Sequence, residues 1–291
     1  MPALPTAQIP GVYHRRVGDI LVTALCDGYM DGSYDIFRNV DAAEVDEMLG
    51  AAFRPSPPRI SINCFLIRTK DRVALVDAGS GDSMGPTLGR LPASMAAAGV
   101  AFADIDTVLL THVHPDHSNG LTAADGSRNF ENAELVVSEA DVRHWHDDAE
   151  MARASERQKL RYFEWGRFQL QPYADRRRHA EGEVFPGITA LPIAGHTPGH
   201  TAYVVASGGE TMMIWGDVCH VPEIQLPRPS ATMIFDSDPE AAAASRRRVL
   251  DMVATDRLLV AGMHLHFPGF AHIVRDGNGY AAIPEAWAFT V

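Results

Sequence analysis

Lysine is almost absent from this chain: of its 25 basic residues only Lys70 and Lys159 are lysines, and 37 acidic residues leave a net charge of −12. A broad basic surface able to grip a phosphate backbone is thereby excluded, and a nucleic-acid partner is not expected. Cysteine is scarce as well. Cys26, Cys64 and Cys219 are an odd, irregularly spaced set, which offers no disulfide framework and suits a reducing compartment. No apolar run approaches the roughly 18 residues that span a bilayer. The opening Met1-Pro2-Ala3-Leu4-Pro5 lacks the basic and then apolar pattern of a secretory signal. These absences predict a cytoplasmic protein with neither membrane nor nucleic-acid partners.

What remains is ordinary globular material. The chain has 291 residues, 46% hydrophobic and 21% charged, enough for one large domain over 1–291 with a sizeable core. Residues 1–12 hold three prolines and read as an arm lying on the surface or on a partner subunit.

Beyond the arm, apolar runs alternate with helical patterns. Strands are predicted at Asp19–Leu25, Ile60–Arg68, Arg72–Val76, Thr107–Leu110, Leu135–Val137, Ile188–Pro192, Ala202–Ala206, Thr211–Trp215 and, as the last buried strand, Leu258–Ala261. Helices are predicted from Asp41, an N-cap candidate with Glu44 three residues on, to Phe53, then over Gly85–Ala98, Glu139–His146, Asp147–Phe168 and Pro239–Val253 with Asp238 as cap. The Arg176-Arg177-Arg178 run reads as a solvated loop, and the aromatics from Trp145 to Phe168 as core or dimer contacts. Alternation of this kind argues an α/β fold with its site at the strand ends.

One stretch concentrates chemistry. Directly after the run Thr107–Leu110 the chain reads Thr111-His112-Val113-His114-Pro115-Asp116-His117-Ser118-Asn119-Gly120. Imidazole and carboxylate are ligands for zinc, iron, manganese and cobalt. Four such groups on one tight loop fit two adjacent ions better than one. His196, Asp217 and His264 each follow a predicted strand and complete the set. One ion takes His112, His114 and His196, the other Asp116, His117 and His264, with Asp217 bridging through its two oxygens. Such a centre, with ions about 3.5–4 Å apart, suits hydrolysis by a bridging hydroxide. Zinc is the first choice of metal; manganese, iron or cobalt would also be accepted.

The order His112-Val113-His114-Pro115-Asp116-His117, His196, Asp217, His264 resembles the metallo-β-lactamase superfamily. Val76-Asp77-Ala78-Gly79 resembles its early aspartate motif, which implies that Asp77 holds the metal loop from behind. The implied fold is an αββα four-layer sandwich of two mixed sheets flanked by helices. Gly85–Leu91, Gly195–Thr201, Phe235–Asp238 and Phe267–Ile273 further resemble the methyl parathion hydrolase group and its lactonase relatives, over nearly the whole chain. That resemblance puts Met84, Tyr162, His220 and Phe235 in the substrate pocket. By this resemblance His220 and Phe235 stand where the methyl parathion hydrolases have leucine, and Met84 where they have a pocket phenylalanine. The bulkier, more polar mouth favours a flat lactone or aryl ester.

The resulting expectation is a dinuclear metal hydrolase, a homodimer, acting on a small ester or lactone, with Asp116 and Asp217 as its catalytic carboxylates. Alternatives are organophosphate triester hydrolysis, acyl-homoserine lactone hydrolysis and, more remotely, an iron-dependent persulfide dioxygenase. Other histidines are read as supporting: His200 staples its turn, His266 yields to His264 as ligand, and His272 packs or hydrogen-bonds near the site. Cys219 is read as a small core residue.

Overall fold

Sixteen strands carry the chain, in a computed structural model that describes residues 4–291. In the first half these are β1 Val12–Val17, β2 Ile20–Asp31, β3 Phe37–Arg38, β4 Arg59–Arg68, β5 Val73–Val76, β6 Thr107–Leu109, β7 Glu134–Val137 and β8 Arg177–His179. The second half adds β9 Glu183–Phe185, β10 Ile188–Pro192, β11 Thr201–Ser207, β12 Glu210–Ile214, β13 Thr232–Met233, β14 Leu259–Ala261, β15 Phe270–Asp276 and β16 Gly279–Pro284. One seven-stranded sheet runs β1-β2-β4-β5-β6-β7-β8, the other β16-β15-β14-β12-β11-β10-β9, and β3 pairs with β13 apart from both. Both large sheets are mixed. Neighbours from β5 to β8 are parallel, as are β12 and β14, and the remaining pairs are antiparallel.

Period-two burial explains the layering. Along β4, Phe65 and Ile67 face the other sheet while Cys64 and Leu66 face outward under helices. Along β12, Met212 and Ile214 point between the sheets, and Met213 points to the helix Pro239–Thr255 through Val249, Leu250 and Val253. A strand buried on both faces needs no polar alternation, so these strands appear in sequence as unbroken apolar runs. The result is the four-layer αββα sandwich.

Several expectations are corrected. β1 begins at Val12, where the arm was expected to end, and pairs with β2 because Val17 and Ile20 are buried together. Residues 4–10 are exposed and form no strand, and residues 1–3 lie outside the described set. The arginine run is not a loop: Arg177–His179 is an edge strand, and Arg178 forks onto Glu134 at 2.9 and 3.0 Å. Nor is Leu259–Ala261 the last buried strand, since β15 buries Phe270, Ala271 and Ile273 beside it. The Gly85–Ala98 helix shrinks to Leu91–Ala97, because Pro92 suits only its first turn and Gly85 and Gly89 take positive φ before it. Asp41 does cap its helix, accepting from Glu44 N–H at 2.9 Å.

Candidate metal centre

Strand register brings the site together. Val76 of β5 stands beside Leu109 of parallel β6, and Ile214 of β12 beside Ala261 of parallel β14. Three residues beyond the latter pair come Asp217 and His264, and three beyond Leu109 comes His112. All leave the sheets at the C-terminal ends of parallel strands, where loops can converge. β11 runs antiparallel to β12 with Tyr203 opposite Ile214, which carries His200 across from Asp217. There the backbone N–H of Asp217 donates to His200 Nε2 at 2.9 Å. Gly216 makes the turn possible: its φ is +59°, and a Cβ there would stand 2.4 Å from that nitrogen.

His112, His114 and His196 present ligand atoms close to one another, and Asp116, His117 and His264 form a second such group. Asp217 lies between them. Its Oδ2 is 3.2 Å from His196 Nε2, 3.1 Å from His264 Nε2 and 3.6 Å from His112 Nε2, while Oδ1 is 3.2 Å from His117 Nε2. His114 Nδ1 is 3.0 Å from His196 Nε2.

The far side of four rings shows what this cage is built to hold. His264 Nδ1 lies 2.8 Å from the Ser61 carbonyl, which can only accept, so Nδ1 carries the proton. His117 Nδ1 and His196 Nδ1 each donate to a carboxylate, Asp77 and Asp236, at 2.7 Å. Thr111 Oγ1 donates to Asp77 and therefore accepts from His112 Nδ1 at 3.0 Å. When neutral, each ring turns a bare Nε2 lone pair toward the carboxylates. Without a metal cation, burial lowers the pKa of His117, His196 and His264, but Asp217 and the other carboxylates around them overcome this and raise it, so that protons take the place of cations. Lone pairs facing carboxylate oxygens at 3.1–3.6 Å repel unless cations sit between them. Nε2 of His112, His114 and His117 and Oδ1 of Asp217 are buried and bond to nothing in the chain. The donor set therefore fits divalent transition-metal ions.

Support extends outward. Asp77 sits at φ 61°, an unusual angle for a non-glycine residue, and is held there by Thr111 N–H, Thr111 Oγ1 and His117. Burial pushes its carboxyl up, against the pull of His117. Asp141 is fully buried and ties two ligand loops together, accepting from Val113 N–H at 2.9 Å and Gly199 N–H at 2.6 Å. Neither Asp236 nor Asp141 was singled out by sequence reasoning. Asp236 stood within a quoted motif, and nothing local distinguishes Asp141 from a surface helix carboxylate.

A cleft of about 560 Å³ opens on the centre. Met84, Tyr162, His220 and Phe235 line it together with Asp116 and Asp217. Tyr162 packs on His114 with ring centroids 4.8 Å apart. His220 is more than a wall residue, since it is only 2% exposed with Nε2 3.0 Å from Asp217 Oδ2. His266 faces elsewhere, bonding Glu223 at 2.7 Å in a separate 730 Å³ groove. His272 is exposed on β15, so the expectation that it serves the site is wrong: strand alternation turns it to solvent. Cys219 is fully buried in the outer core of the second sheet.

The match to known proteins agrees with this geometry. Residues 57–264 fit the family described as the metallo-beta-lactamase superfamily. The chain belongs to that superfamily. Among solved structures of the superfamily, the hydrolase AbOPH superposes with a TM-score of 0.90 at 31% identity, over 97% of this chain and all of that one. AidC, a dizinc quorum-quenching lactonase in complex with its N-hexanoyl-L-homoserine product, gives 0.91 at 25% identity, over 96% and 99%. Uncharacterized protein YobT of Bacillus subtilis (strain 168) is 25% identical over 165 residues, which cover 55% of this chain and 63% of that protein's length. Together with these hydrolase neighbours, superfamily membership supports a metal-dependent hydrolase. Among the described residues no helix is long and apolar enough to cross a membrane.

Asp236 should act by orienting His196. Asp236→Ala is expected to weaken metal affinity roughly 10- to 100-fold, as loss of an outer carboxylate partner does. Competition against a chromogenic chelator measures this, and unchanged affinity would show that His196 is oriented by something else.

Proposed function

We propose that this chain is a dinuclear hydrolase that opens lactones or cleaves aryl esters. The observation carrying the proposal is the floor of the 560 Å³ cleft, where two ligand triads share Asp217 and present unbonded lone pairs. The likeness to AidC, a dizinc lactonase at 25% identity, supports it. Two divalent ions, zinc first, would supply a hydroxide at neutral pH and a Lewis acid for the acyl oxygen.

The chain's own groups do the rest. His112, His114 and His196 would hold one ion and Asp116, His117 and His264 the other, with Asp217 fixing their separation. Burial pushes the Asp116 carboxyl up, but the adjacent His117 and His264 overcome this and hold it below the usual range. It is therefore ionised at neutral pH, and it receives the water proton and passes it to the leaving alkoxide or phenoxide. Water adds to the acyl carbon, the acyl C–O bond breaks, and acid and alcohol are released. Burial, then Asp116, push the Tyr162 phenol up, so it stays an O–H donor beside the substrate.

The test is a panel of aromatic δ-lactones, acyl-homoserine lactones and aryl esters, run on one preparation with elemental analysis. Two transition-metal ions per chain and metal-dependent ring opening or ester cleavage are expected, with a lower Tm after chelation. One ion per chain after reloading would overturn the dinuclear reading. Absence of turnover across the panel would overturn the substrate class.

A further inference from the structure

Arginine is the dominant cation of this chain, and most arginines are committed: Arg59 forks onto Asp31, Arg72 pairs with Asp106, Arg178 with Glu134, and Arg246 is buried among backbone carbonyls. Three whose guanidiniums make no hydrogen bond or ion pair among the described residues, Arg38, Arg157 and Arg161, line the metal cleft. Arg157 and Arg161 stand four residues apart on the helical segment that also delivers Tyr162. Ser155 caps its first turn, and the segment runs through Glu156–Gln158 into the wider turns of Lys159–Glu164. Arg161 lies with its guanidinium carbon 5.6 Å from the Trp165 ring, which restrains the side chain without neutralising it. Both guanidiniums are near enough to the Tyr162 phenol to draw its pKa down, against the larger effect of burial. Of the two acidic residues at the mouth, Asp31 is already occupied by Arg59 at 2.7 and 3.1 Å, leaving Asp35. Much of the remaining lining is apolar, including Met30, Ile36, Met84, Ile234 and Phe235.

We infer that Arg157 and Arg161 form an anion-recognition subsite at the mouth of the cleft, and that the substrate is an ester or lactone with an apolar body and a carboxylate remote from its scissile carbonyl. This rests on the hydrolase reading above and narrows its substrate class. An uncommitted guanidinium offers a planar fork that matches a carboxylate with two parallel hydrogen bonds. In a chain of net charge −12, unpaired cations gathered at one cleft mouth also draw anionic substrate locally against the overall repulsion. A neutral substrate would leave both forks to water and gain nothing from them.

Two matched pairs test this with the metal-loaded full chain. 3-Carboxyphenyl butyrate is compared with 3-carbamoylphenyl butyrate, and phenyl hydrogen glutarate with its terminal primary amide. Each pair changes only charge, one on the leaving-group side and one on the acyl side. At low ionic strength the carboxylate member of at least one pair should have a kcat/KM at least about tenfold higher, mostly through KM. Exposed charges are screened within about 10 Å at 0.1 M salt, so the preference should shrink as salt is added. R157Q/R161Q should bring the ratio to within about threefold of unity, and R157K/R161K should keep part of it. A ratio near one in both pairs for the unmodified protein, or a ratio unaltered in R157Q/R161Q, overturns the subsite while leaving the hydrolase reading intact. No cleavage of any of the four esters overturns both.

Discussion

Asp217→Ala is expected to lower kcat/KM on any accepted lactone or aryl ester by at least about a thousandfold, ~4 kcal/mol of transition-state stabilisation. The size of the effect follows from position. Among the described residues Asp217 is the only carboxylate within reach of rings from both triads, with Oδ2 near His196 and His264 and Oδ1 near His117. Removing it leaves the two ligand groups with no shared anion, and metal content per chain should fall along with activity. Companion variants give the experiment its resolution. His264→Ala should cost at least about a hundredfold, because its Nδ1 is locked to Ser61 and its Nε2 is aimed at Asp217. His266→Ala should stay within about threefold, because its ring is turned to Glu223 in another groove. The opposite ranking of these two histidines would mean that the second triad has been drawn around the wrong residue.

Discrimination between acyl and phosphoryl substrates is the other large effect. Aromatic lactones or aryl esters should exceed triesters such as methyl parathion by at least about a hundredfold in kcat/KM, ~2.7 kcal/mol. A lactone carbonyl is planar and can enter edge-on, whereas a phosphotriester is tetrahedral and brings three substituents. Phe235 stands edge-on to His220 at 5.1 Å and to His196 at 6.0 Å, filling space directly over the ligands. Phe235→Leu should therefore raise triester turnover relative to lactone turnover. His220 does not offer so clean a test, since its contact with Asp217 couples the pocket wall to the metal cage and His220→Leu would disturb both. A native preference for the triester, or an unmoved ratio in the Phe235 variant, would remove the steric basis of the lactonase reading.

The sequence by itself determined the chemistry's raw materials. His112, His114, Asp116 and His117 are legible because one loop after a buried strand is too dense in donors for chance, and His196, Asp217 and His264 because each follows an apolar run of strand length. Layering came only with the family resemblance, although runs such as Cys64–Ile67 are apolar on both faces, as a sheet covered on both sides requires. Tertiary structure alone decided how the donors are held and what the cleft admits. Asp236 reaches His196 across 40 positions, and Asp141 joins Val113 to Gly199 across 28 and 58. Arg157 and Arg161 lie within the predicted helix Asp147–Phe168, where no local pattern marks them; only the cleft they line sets them apart. The edge strands β1 and β8, and β15 next to the edge of its sheet, escaped for a related reason, being half exposed and interrupted by arginine or histidine. Periodicity is a property of neighbours in the chain. The partners of a charge or lone pair are set by the register of two sheets packed face to face, and that register depends on contacts no local pattern records.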